Sequence, residues 1–167
     1  MQRADLHTHT TFSDGTLTPA EVVAHARELG LAAVGITDHD AIDGVAEALE
    51  AGERLGVTVV PGVEVNTDVP DSEVHMLGYF IDIDSSTLRE ALKGLREGRL
   101  RRAEQIVTKL RGVGVPVELE RVLAIADGVG AVGRPHIARA IVEAGFAADI
   151  SDSFDRYLSP GRPAHVP

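Results

Sequence analysis

Asp5-Leu6-His7-Thr8-His9, followed closely by Ser13-Asp14, brings two imidazoles and carboxylates together near the start of the chain. In a His-x-His pair on a strand both side chains point to the same face, because side chains alternate with period 2. Two neutral imidazoles on one face beside carboxylates form a clamp for a divalent transition metal. Metal-type residues recur downstream as Asp38-His39-Asp40, Glu64 and His75. The chemistry that such a set supports is metal-assisted hydrolysis.

These residues need a scaffold, and the first half of the chain reads as alternating strands and helices. Arg3 to His7 reads as a short buried strand. Pro19 to Leu29 reads as a helix, with Thr18 as N-cap, Pro19 at N1 and Gly30 at its end. Ala32 to Thr37 is an apolar strand, and Ala41 to Leu55 a second helix stopped at Gly56. Val57 to Val65, broken by Pro61-Gly62, and Val74 to Ile81 complete the strands. The β-α-β-α-β order predicts a parallel sheet, open or closed into a barrel. His7, His9, His39 and Glu64 then fall at or just after the C-terminal ends of strands, where α/β barrels assemble their sites.

From about Ser85 the character turns helical: Leu88 to Arg111, Leu119 to Ala126, Pro135 to Gly145 and Ser151 to Leu158. Gly112, Gly114 and Pro116, then Gly128, Gly130 and Gly133, separate these helices. The expected organisation is sheet and helices over 1–84, a helical subdomain over 85–158, and a connector over 159–167. The Pro- and Gly-containing ending reads as leading into something further, so the 167 residues are expected to be the front of a longer product. The other reading is a short protein with a more open site.

Composition narrows the partners. The chain has 44% apolar residues, a mean hydropathy of +0.03 and no run of membrane-spanning length, so a soluble, cytoplasmic protein without membrane partners is expected. It has no cysteine, so a metal must take nitrogen and oxygen ligands. Net charge is −10, which repels nucleic acid unless metal ions or arginines supply positive charge locally. With 4% aromatic residues and no Trp, stacking along a long single strand is poorly supported, and no stable duplex binding is expected.

The motifs resemble those of the PHP (polymerase and histidinol-phosphatase) family of metal-dependent phosphoesterases. Asp5-Leu6-His7-Thr8-His9 with Ser13-Asp14-Gly15 is similar to its first motif, Thr37-Asp38-His39-Asp40 to its second, and Pro61-Gly62-Val63-Glu64 to its third. His75 within His75-Met76-Leu77-Gly78-Tyr79 is similar to the next. Gly133-Arg134-Pro135-His136-Ile137-Ala138 and Phe154 to Pro167 resemble the branch that hydrolyses nucleotide and oligonucleotide phosphates.

The resemblance implies an α/β fold, part of a distorted seven-stranded β/α barrel carrying an inserted helical subdomain. It implies a cleft for up to three divalent ions, Mn²⁺, Zn²⁺ or Fe²⁺. The first ion would take His7, His9 and Glu64, the second Glu64 and His75, and the third Asp14 and His39. Asp14, His39 and Glu64 would also be the catalytic residues. Each pocket normally receives one further ligand from later Ala-His-Pro-type and Ser-Asp-x-His-type motifs, and this chain contains neither.

Each residue also has a plainer reading. Asp5 is expected to orient an imidazole, or else to bond strand-end amides. Asp38 is a second candidate for that supporting role, and Asp40 is expected to cap the helix from Ala41. Asp14 could simply cap a turn. Glu64 lies in an apolar strand, where a carboxylate needs cationic compensation. Arg99 and Arg102 share a helix face at i, i+3 and, with Arg134, could clamp phosphate; a solvated helix surface is the ordinary explanation. His136, in the first turn of a helix, could meet an anion there or be structural. His25 and His165 read as surface or packing residues.

Hydrolysis of phosphate monoesters of small nucleotides, such as nucleoside 3',5'-bisphosphates, or trimming of short RNA is therefore expected. Histidinol-phosphate hydrolysis, amidohydrolase-type cleavage and non-catalytic metal or partner binding are the competing readings.

Overall fold

A computed structural model describes residues 3–69, 72–126 and 131–166. They form two compact units, Met1–Leu95 and Arg96–Pro167. The division falls inside a long helix. Gly128 and Gly130, expected to separate helices, and Pro167, at the end of the connector, lie outside the described residues.

The first unit is built on four strands in the order β1-β2-β3-β4: β1 Ala4–Thr8, β2 Ala33–Ile36, β3 Thr58–Val69 and β4 Ser72–Tyr79. Helices α1, Pro19–Glu28, and α2, Val45–Leu55, make the crossovers between the first three. β1, β2 and β3 pair in parallel, as the alternating order requires. β4 departs from the expected parallel sheet, because it returns antiparallel along β3 from Gly62↔Tyr79 to Val69↔Ser72. A connection this short allows only the antiparallel return.

Pro61-Gly62 does not break β3. Pro61 is the last residue in register with β2, at Ile36, and Gly62 the first in register with β4. The strand changes partners there. A Cβ on Gly62 would stand 2.9 Å from the Gly78 carbonyl oxygen, so this close approach requires glycine.

β1 also differs from expectation. It is exposed along most of its length, with Leu6 42% accessible, because among the described strands it lies at the sheet edge. The core of this unit instead joins Val34 and Ile36 of β2 to Val23 and Ala26 of α1, Ala48 and Ala51 of α2, and Leu92.

Helix α1 starts where Thr18 and Pro19 predict. Thr18 accepts the Glu21 amide, and the Glu21 carboxylate accepts the Thr18 amide, a reciprocal cap. Helix α2 begins at Val45 rather than Ala41, and Asp40 does not cap it. Asp40 has a left-handed φ of 49°, and its N–H donates to the Glu64 carbonyl, so the backbone there is tied to β3. Ala41 and Ile42 are buried before the helix starts.

The second unit is helical: the later part of α3, Ser86–Gly112, then α4, Leu119–Ile125, α5, Arg134–Glu143, and α6, Ile150–Ser153. Phe154–Leu158 continues α6 as a π-helical turn, where a single helix over Ser151 to Leu158 is expected. Ile106, Leu110, Val122, Ile137, Ile141 and Leu158 fill its own core. No helix among the described residues is long and apolar enough to cross a membrane.

Candidate metal centre

Strand pairing alone brings the metal-type residues together. His7 lies in β1 and His9 just beyond it. His39 follows β2 and is bridged in parallel to Glu64 of β3. Glu64 N–H donates to the Asp38 carbonyl, which fixes that register. β4 returns His75 opposite Asn66, within reach of Glu64. Glu64 therefore sits within β3 rather than at its end, at a level where the loop after β2 still runs beside it.

The side chains converge on the Glu64 carboxylate, which is 3% exposed. Its Oε2 lies 2.9 Å from His7 Nε2, 3.1 Å from His9 Nε2 and 3.5 Å from His39 Nδ1. Its Oε1 lies 2.6 Å from His75 Nδ1. Asp14 extends the cluster, with Oδ1 3.6 Å from His9 Nδ1 and Oδ2 3.7 Å from His39 Nε2. The rings follow one another from His7 to His9 to His39 to His75, with centroids 5.1, 4.6 and 5.1 Å apart.

Three overlapping groups result: His7, His9 and Glu64; His9, Asp14 and His39; His39, Glu64 and His75. The first has the dimensions of a coordination face. His7 Nε2, His9 Nε2 and Glu64 Oε2 are 2.9, 3.1 and 3.2 Å apart in pairs. Ligands about 2.1 Å from one ion at octahedral to tetrahedral angles stand about 3.0–3.4 Å apart. Lone pairs this close repel one another unless a proton or cation lies between them. The donor set, imidazole and carboxylate only, suits a divalent metal ion.

The electrostatics agree. Burial pushes the Glu64 carboxyl up, but His7, His39, His75 and His9 together outweigh it and hold it below the ordinary value.

Asp38 does its work one layer out. It is 1% exposed and touches the turn that carries Asp14 rather than a ring: Oδ1 accepts the Thr10 amide at 2.7 Å and the Ser13 hydroxyl at 2.6 Å. Its Oδ2 accepts the Thr10 hydroxyl at 2.7 Å. Burial pushes the Asp38 carboxyl up against these three stabilising bonds. Residue type alone does not point to Thr10 and Ser13; the Thr-x-x-Ser spacing just after the His pair is the signal.

Asp5 takes the plainer of its two expected roles. It is exposed, and its Oδ1 accepts the His7 backbone N–H at 3.2 Å instead of a ring nitrogen. A short carboxylate two residues back reaches the amide more readily than the ring.

The residues expected to meet phosphate all belong to the second unit. Arg99 and Arg102 lie one turn apart on α3, and Arg99 is buried to 7% exposure. Arg134 opens α5. His136, also 7% exposed, accepts the Gly133 N–H through Nδ1 at 3.0 Å, so one ring nitrogen is committed to capping α5. His25 is an exposed neighbour of Glu28, and His165 Nδ1 lies 3.1 Å from the Leu158 carbonyl.

A mixed sheet with histidines at its rim and one buried glutamate between them defines a site able to hold divalent metal. Residues 5–84, about half of the chain, match the PHP domain family. It is 38% identical over 166 residues to the 3',5'-nucleoside bisphosphate phosphatase of Chromobacterium violaceum, covering 99% of this chain and 58% of that protein. It is 41% identical over 165 residues to the 5'-3' exoribonuclease Rnm of Escherichia coli strain K12, covering 98% and 56%. The fold matches a solved structure described as an amidohydrolase from Chromobacterium violaceum with bound sulfate, at TM-score 0.91 and 38% identity over 99% of this chain and 58% of that one. The chain thus spans a little over half the length of these relatives.

Proposed function

We propose that this chain serves a metal-dependent phosphoesterase that hydrolyses phosphate monoesters of small nucleotides, nucleoside 3',5'-bisphosphates in particular, or short oligoribonucleotides. The observation that carries the reading is the convergence of His7, His9, His39 and His75 on the two oxygens of one buried carboxylate, Glu64. Relatives that act on a nucleoside bisphosphate and on RNA support the substrate class.

In this reading His7, His9 and Glu64 hold one divalent ion. Glu64 and His75 would hold a second, and Asp14 and His39 a third. Mn²⁺, Zn²⁺ or Fe²⁺ bound there would supply Lewis acidity, lowering the pKa of water and offsetting phosphoryl charge. Glu64 presents Oε2 to His7, His9 and His39 and Oε1 to His75, so one anion would serve two pockets. Asp14 and His39 close the far side of the cluster and face each other across 3.7 Å. Arg99, Arg102 and Arg134 are the proposed phosphate binders, since guanidinium pairs bidentately with phosphate and the chain's net charge of −10 otherwise disfavours it. His136 does not have Nδ1 for such a role, because that nitrogen caps α5. A cytoplasmic setting belongs to this reading, and a chain without cysteine permits it.

The test is release of phosphate from a nucleoside 3',5'-bisphosphate and nucleotide release from a short 5'-phosphorylated RNA, with each of the three ions added in turn. Histidinol phosphate and an amide substrate serve as the competing arms. Turnover that depends on added metal and falls to background in His39→Ala supports the proposal. Preferential amide cleavage, or metal binding with no turnover of any phosphate ester, overturns it.

A further inference from the structure

We propose that Thr10 and Asp38 are positioning residues that lock the turn carrying Asp14 against the sheet, and that this lock sets the affinity of the Asp14–His39 pocket while leaving the other two alone. The inference rests on the proposed reading of Asp14 and His39 as ligands. It gives a task to two buried polar residues that hold no ion in that reading.

The ligand-type side chains are held in two different ways. His7, Glu64 and His75 lie within strands, and His39 is bridged to β3, so backbone pairing fixes their places. Asp14 lies in the loop between β1 and α1. Within that loop Ser13 N–H and Gly15 N–H donate to the Thr10 carbonyl, and Thr11 N–H donates to the Leu17 carbonyl. These bonds shape the turn without tying it to another segment. Apart from the ligand side chains themselves, the described hydrogen bonds that do tie it elsewhere end on one carboxylate. Thr10 N–H and the Ser13 hydroxyl donate to Asp38 Oδ1 at 2.7 and 2.6 Å, and the Thr10 hydroxyl donates to Oδ2 at 2.7 Å. Asp38 is itself pinned to β3, because its carbonyl accepts the Glu64 N–H.

Thr10 is the centre of this arrangement. It is 0% exposed, and its hydroxyl also accepts the Phe12 N–H at 3.1 Å, so its amide, carbonyl and hydroxyl are all engaged. Phe12 packs beside Gly44, where a Cβ would stand 2.6 Å from its ring. That apolar contact keeps the turn near the body of the unit, but it gives Asp14 no direction; the polar bonds do. Direction matters most in this pocket, because its members stand furthest apart. Asp14 lies 3.6 Å from His9 Nδ1 and 3.7 Å from His39 Nε2, whereas His7, His9 and Glu64 lie within 2.9 to 3.2 Å of one another. Supporting groups of this kind typically change metal affinity by about 10- to 100-fold when removed.

The experiment titrates Mn²⁺ into the metal-free chain by calorimetry and follows hydrogen exchange of its amides without metal. Asp14→Asn identifies the binding step that belongs to Asp14. Thr10→Val, close in shape but without the hydroxyl, should weaken that step by about 10- to 100-fold and leave the remaining steps unchanged. It should also speed exchange at the Ser13 and Gly15 amides but not at the Glu64 amide. Thr10→Ser restores the hydroxyl and should bind as the wild type does, which a merely structural loss at this position would not predict. Ser13→Ala takes another bond from the same carboxylate and should weaken the same step; it carries the test if Thr10→Val does not fold. If neither variant weakens the Asp14 step more than the others, the inference is overturned and the metal reading stands. If Asp14→Asn removes no step from the wild-type titration, Asp14 is not a ligand, and the inference falls with that reading.

Discussion

Glu64 is the residue on which the cluster is most dependent. An isolated buried carboxylate is costly, and four imidazoles around it supply compensation only as far as protons or cations reside among them. Glu64→Gln keeps the shape but removes the charge. Its Zn²⁺ or Mn²⁺ affinity, measured by calorimetry, should fall by more than the about 100-fold upper range for outer-shell changes. Gly15 makes a different point. A Cβ there would stand 2.4 Å from the His9 carbonyl oxygen, inside the turn that delivers both Asp14 and Ser13. Gly15→Ala should destabilise the chain by about 1–3 kcal/mol in denaturant unfolding, and it should weaken metal binding at the same time.

At the scale of elements, helix α1 is held at its start by the reciprocal bonds of Thr18 and Glu21. Thr18→Ala should cost about 1 kcal/mol of stability. The Glu21 carboxyl is held below its ordinary value by its backbone and side-chain bonds to Thr18. A depressed carboxyl contributes stability that is present above its unfolded-state value of 4.5 and lost as pH falls through the lower folded value. Below pH 4.5 the wild type should therefore lose stability more steeply than Glu21→Gln, as thermal melts at stepped pH would show. The β3–β4 hairpin has a narrower duty. Its return along β3 places His75 against Glu64 Oε1, and a parallel fourth strand could not have followed so short a connection.

At the scale of the molecule, two hydrophobic cores serve different purposes. The first unit's core, around Val23, Val34, Ile36 and Ala48, supports the sheet that brings the metal-type residues to one place. The second, around Leu110, Ile137 and Ile141, supports the helices that carry Arg99, Arg102, Arg134 and His136. Ile141→Ala, with its side chain fully buried, should cost about 2–5 kcal/mol. Metal should act on the first unit. An ion at 100 times its Kd stabilises the state that binds it by about 2.7 kcal/mol. Hydrogen exchange should accordingly slow at the Thr10, Asp40 and Glu64 amides, which bond across the site.

Much of this was legible in the chain itself. The period-2 spacing of His7 and His9, the Thr18-Pro19 helix start and the alternation of apolar runs with amphipathic ones are local signals, and local sterics and hydrogen bonding suffice to read them. Residue types also fixed the donor chemistry, since a chain without cysteine can offer a metal only nitrogen and oxygen. What required the tertiary structure was every relation between distant segments. Asp40 looks like a helix cap by type, yet its amide belongs to the Glu64 carbonyl and its backbone is left-handed. Asp5 and Asp38 look alike as neighbours of histidines, but one bonds a nearby amide at the surface and the other is buried under Thr10 and Ser13. Sequence determined which groups could bind a cation and on which face of each element they stand. Only the folded chain decided which oxygen meets which ring, because strand register across more than fifty residues is set by the packing of the whole sheet, not by any local preference.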